Sequence, residues 1–87
     1  MAIWRIPKVK SEMGHRSNTS IYTAVRSGLL TNAVQLSKRS VGWPDFEIEA
    51  ICAARIAGCT ELEIRNLVNQ LHVNRSSKLL SFSRERK

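Results

Sequence analysis

Apolar positions recur at helical spacing in four stretches of this chain and alternate in one. Ile6, Val9 and Met13 form a single stripe that predicts a short first helix. Pro7 suits its first position, where a missing N–H is harmless, and Gly14 ends it. After a polar, basic turn over 14–17, the spacing predicts a second helix over 18–27, with Ser17 as N-cap and Gly28 as its stop. Ile21, Ala24 and Val25 share one side of it, with Thr19, Thr23 and Arg26 opposite and Tyr22 at the edge. So short a helix is unstable alone, so its apolar side must dock and its polar side must be presented outward. The period then changes to two. Val34 and Leu36 set against Val41 and Trp43 predict a hairpin over 34–43 with Ser37, Lys38, Arg39 and Ser40 at its tip. Ile3, Trp4 and Ile6 read as a short apolar start able to join it as a strand, and Trp43 reads as core because Pro44 turns the chain there.

Pro44 opens a third helix to about Ala57, with Asp45, Glu47 and Glu49 at its positive end. Ile48, Ile51, Cys52 and Ile56 predict a large-residue stripe; Ala50, Ala53, Ala54 and Ala57 predict a small-residue stripe for close helix approach. Gly58 and Cys59 make a turn, and Thr60 with Glu63 reads as a capping box. A last helix, carrying Ile64, Leu67, Val68 and Leu71, is expected to end near His72. The chain thus divides into a domain over 1–73 and a basic, flexible tail over 74–87. The fold class expected is mainly α with a small β-hairpin wing: a winged helix-turn-helix plus a C-terminal helix.

Charge sharpens this picture. The net charge of +7 is segregated: residues 1–43 hold seven basic side chains and one acid, 44–74 two against five, and 75–87 five against one. A polyanion would be met by the first part and the tail, while the middle faces away or toward a protein partner. The alternative is a generally basic protein whose cations are simply solvated. No run of about 18 apolar residues exists to span a membrane, and the start of the chain lacks the apolar centre of a secretory signal, so a cytoplasmic, nucleoid-associated location is expected. Cys52 and Cys59, with His15 and His72 distant from them, read as small apolar residues and not as metal ligands or a disulfide. No metal or cofactor is expected. Neither a Gly-rich phosphate loop nor a nucleophile–base constellation is visible, so no enzymatic activity is expected.

Four blocks in order, SIYTAVRSGLL (20–30), AVQLSKRSVGW (33–43), PDFEIEAICAARIAG (44–58) and ELEIRNLVNQLH (61–72), resemble the AlpA family of phage and genomic-island regulators, relatives of small excisionases. The resemblance covers 3–75 and is most specific at Ile21-Tyr22, Gly28 and 39–43. It implies a winged helix-turn-helix similar to the MerR and excisionase group, a bacterial or prophage origin, and transcription regulation by binding double-stranded DNA. An excisionase-type recombination directionality factor would use the same residues, and the sequence does not separate the two. The runner-up of another class is an interaction module that partners an integrase through the small-residue helix and the helix at 60–72, with DNA contact secondary. The family usually starts its recognition helix with Ser-Arg or Ser-Lys and follows Tyr with a cation. Here Asn18 and Thr23 stand there, and the cations sit beside the helix in the turn.

The candidate contacts follow. Asn18 can pair with adenine; Thr19, Ser20 and Thr23 can bond base edges; Arg26 can reach guanine or phosphate. The alternative is that Asn18 and Thr19 only cap the helix and Arg26 is a solvated surface residue. Tyr22 either bonds a phosphate or packs. Lys38, Arg39 and Ser40 suit the backbone or a narrow minor groove, or form an ordinary charged turn. Arg5, Lys8 and Arg16 are candidates for flanking phosphates. A domain this small covers little DNA, so a homodimer or tandem copies are expected to be needed for tight binding.

Overall fold

A computed structural model describes residues 2–85, with side chains as far as Ser77. In chain order the elements are β1 (Ile3–Trp4), α1 (Ile6–Met13), α2 (Asn18–Arg26), β2 (Val34–Gln35), β3 (Val41–Pro44), α3 (Asp45–Ile56) and α4 (Glu61–Glu85). The strands make one antiparallel sheet in the order β1-β3-β2. No helix among the described residues is long and apolar enough to cross a membrane.

The local signals act where expected. Gly14 closes α1 in the left-handed conformation, φ 73°, which lets its N–H return to the carbonyls of Lys10 and Ser11. Pro7 takes the second helical position, not the first, because Arg5 is the N-cap residue. It still falls among the first donors that no helix can satisfy. At the other end of the chain, Thr60 and Glu63 form the reciprocal capping box, N–H to Oε1 at 2.8 Å and N–H to Oγ1 at 3.2 Å. The Thr60 N–H, and then its hydroxyl, hold the Glu63 carboxyl below its usual range.

The hairpin register differs from the expected one. Val34 lies opposite Gly42 and Gln35 opposite Val41, while Trp43 lies opposite Trp4 of β1. Residues directly opposite share a face, so Val34, Leu36 and Gly42 line one side and Gln35, Val41 and Trp43 the other. Period two fits both registers. What selects between them is the burial of Trp43, which is fully enclosed, and the space over Gly42. A Cβ at Gly42 would stand 2.6 Å from Ile3 Cγ2 and 3.0 Å from the Trp4 carbonyl oxygen, so only glycine lets β1 lie this close.

The core joins Val9, Ile21, Leu30, Trp43, Ile48, Ile51, Ile64, Val68 and Leu71. Two expectations for α3 fail. Ile56 is 87% exposed, and Ala53 and Ala57 are exposed as well. At about 100° per residue Ile56 falls on the side of exposed Glu49, whereas Glu47 falls beside Ile51. Glu47 is accordingly buried, and Arg75 of α4 meets it at 2.6 and 2.8 Å. Helix α4 does not stop near His72 but runs on to Glu85.

One buried polar atom lacks a partner among the described residues, the Thr31 hydroxyl. The Thr31 backbone is well used, its carbonyl accepting the Trp43 indole N–H at 2.7 Å. Thr31→Val keeps the shape and removes the desolvated hydroxyl, so it is expected to stabilise the domain by about 1 kcal/mol. Urea unfolding reads this directly, and a lower midpoint would show that the hydroxyl is bonded in solution.

Candidate nucleic-acid interface

Helix α2 is docked by Ile21 and Ala24, both buried, with Val25 half-buried beside them. That fixes which side looks out. Asn18, Thr19, Tyr22, Thr23 and Arg26 are all exposed, so neither threonine is spent on the fold. The Ser17 hydroxyl accepts the Ser20 N–H at 3.2 Å, satisfying one of the orphan donors of the first turn. The cap therefore belongs to Ser17, which leaves the Asn18 and Thr19 side chains out of it. Ser20 is different. It is half-buried, and its hydroxyl lies 3.0 Å from that of Ser17, so it braces the cap more than it presents itself.

The hairpin tip forms because Leu36 and Ser37 both donate backbone N–H groups to the Ser40 carbonyl, at 2.9 and 3.2 Å. The Gln35 amide N–H closes onto the Ser37 carbonyl inside the same turn. Lys38 and Arg39 are left fully outside. Ser40 is half-buried, and its hydroxyl accepts the Arg5 guanidinium at 3.1 Å, which ties the tip to the start of α1.

These elements meet in an open groove of about 380 Å³. Tyr22 lines it from α2, Gln35, Lys38 and Arg39 from the hairpin, and Arg5 from the β1–α1 junction. A second hollow, about 430 Å³, lies along α2 at His15, Thr19, Ser20, Thr23 and Ser27, with Arg55 of α3 on its wall. Three cations and a phenol on one flank of a polar helix suit an anionic strand. Of the remaining candidates, Arg16 is exposed in the 14–17 turn. Lys8 is exposed but engaged, 2.9 Å from Glu12 and 5.2 Å above the Trp4 ring. Such a surface pair is weak and easily exchanged.

Sequence reasoning missed Gln35 and Arg55. Gln35 sits one place from the hairpin tip, and the strand register that aims it into the groove is not local information. Arg55 belongs to the acidic middle of the chain, which its charge balance assigns to the far side, yet the packing of α3 brings this one cation beside α2. The cysteines are free and half-buried. Burial, and then the Glu12 charge, push the Cys52 thiol up, with Arg55 acting in the opposite sense. Among the described residues no three His, Cys, Asp or Glu side chains gather as metal ligands would.

Compared with protein-family models, curated proteins and solved structures, the chain matches none.

Proposed function

We propose that this domain is a sequence-specific, double-stranded DNA-binding regulator of the winged helix-turn-helix type, with no catalytic step. Helix α2 lies in the major groove, with Asn18, Thr19 and Thr23 at base edges and Arg26 at guanine or phosphate. The β2–β3 hairpin is the wing, and Lys38 and Arg39 hold the backbone or adjacent minor groove. Tyr22, Arg5 and Arg16 contact flanking phosphates. The observation that carries this reading is the shared groove: one helix flank and one hairpin tip, 16 residues apart between Tyr22 and Lys38, present a phenol and cations to the same space.

Transcription control of a prophage or genomic island is the biological setting that the AlpA-like blocks favour. On 87 residues, two copies on adjacent half-sites are the arrangement that gives tight binding. Random-site selection with the purified protein tests the reading. A short enriched duplex, protected in footprinting by protein at low salt, is the expected result. Recovery of no enriched sequence would sink it.

A further inference from the structure

The connector over 27–32, between the end of α2 and the wing, is gripped by side chains from far along the chain. Arg65 Nε donates to the Ser27 carbonyl at 2.9 Å, and its stem lies over Gly28, where a Cβ would stand 3.5 Å from Arg65 Cγ. The Asn32 N–H donates to His72 Nε2 at 3.0 Å, and the Asn32 carbonyl accepts Arg75 Nη2 at 2.9 Å. Residues 65, 72 and 75 are spaced seven and three apart, so all three project from one side of α4. Both ends of the connector are therefore bonded to the same rigid rod. Connectors ordinarily run over the surface and make few such bonds.

Resting on the DNA-binding reading above, we infer that α4 is the element that sets the spacing and angle between the recognition helix and the wing, and that Arg65 and His72 are positioning residues for DNA recognition. Helix α2 docks through its buried side, and buried Leu30 and the Thr31 carbonyl, bonded to the Trp43 indole, hold the middle of the connector. The connector's two ends, Ser27 and Asn32, lie exposed, and the hairpin is too short to be rigid alone. Two DNA-contacting elements joined by a loose connector would sample many mutual orientations. Only a fraction would fit groove and backbone together, and affinity falls by that fraction. Fastening the connector at Ser27 and at Asn32 removes this freedom before DNA arrives.

Arg65 is exposed and His72 half-buried, and Asn32 is itself exposed. Water can therefore satisfy the Asn32 N–H when His72 no longer accepts it, and the Arg75 bond to the Asn32 carbonyl stays in place. Stability thus changes little while the connector gains freedom at Ser27 and loses one of its two bonds at Asn32. Arg75 is unsuited to the test because it also neutralises buried Glu47. The experiment uses the full chain carrying Arg65→Met, which keeps the stem over Gly28 and removes the donor, together with His72→Leu. Expected are a protein fully folded at the assay temperature and about tenfold weaker binding to the selected duplex. His72→Gln, whose amide oxygen can accept the same N–H, is expected to bind within about twofold of the native chain. Backbone N–H residual dipolar couplings of the free protein supply a readout that needs no DNA. Those of α2 and β3 are expected to fit a single orientation in the native chain and to fail to do so in the double variant. Native-like couplings, or native-like affinity, in the folded double variant would overturn the clamp. Failure of the native chain to select any duplex would overturn the DNA-binding reading instead, and the couplings would still decide the clamp.

Discussion

Arg75→Met is expected to lose about 3–5 kcal/mol of stability. Its partner Glu47 is fully buried, and Arg75 meets both carboxylate oxygens, Nε to Oε2 at 2.8 Å and Nη2 to Oε1 at 2.6 Å. Taking the guanidinium away strands a carboxylate in the core. Domains of this kind have only about 5–15 kcal/mol in total, so the variant should be largely unfolded in mild urea. Glu47→Leu should be milder, since the Arg75 side chain is 27% exposed and can turn to water. Combining Glu47→Leu with Arg75→Met should recover most of the loss, because a well-packed apolar pair often replaces a buried ion pair without penalty. A double-mutant cycle in urea checks all three, and simple additivity of the two single losses would contradict it.

The same ion pair shows where sequence reading stops. Glu47 reads as one of three acids at the positive end of α3, and Arg75 as the first cation of a basic tail. Each is a sound local interpretation. Their pairing bridges 28 residues, and no periodicity in either helix announces it. The clamp on Asn32, at separations of 40 and 43, is of the same kind. By contrast, Ser17, Gly14 and the Thr60–Glu63 box act within one helical turn, and those boundaries were legible to within a residue or so. The docked side of α2 was legible too, because three apolar positions in nine leave a single solution. The hairpin was legible as a hairpin but not in register, since alternation alone cannot distinguish Gly42 from Val41 as the partner of Val34. Ile56 was misread because its hydrophobicity outweighed its angle, on a helix whose alanines let several sides look apolar.

Lys38→Ala with Arg39→Ala is expected to cut affinity for the selected duplex by about 100-fold at low salt while leaving the fold intact. Both side chains are exposed at a turn held by backbone bonds to the Ser40 carbonyl, so nothing in the core depends on them. If each cation displaces counterions from one phosphate, the slope of log affinity against log salt becomes shallower by about 0.9 per residue, close to two in all. The loss should be nearly uniform across duplex sequences, because phosphate contacts position the protein and carry no sequence information. Asn18→Ala with Thr23→Ala should behave oppositely. The salt slope should stay as in the native chain, while affinity for the selected site falls by about 1–3 kcal/mol per lost base contact and affinity for unrelated DNA hardly moves. Titrations of the two variants against selected and scrambled duplexes at two salt concentrations separate the roles. Equal effects of both variants on slope and on specificity would mean that helix and hairpin do not divide the work in this way, and that the groove between Tyr22 and Arg39 faces something other than the DNA backbone.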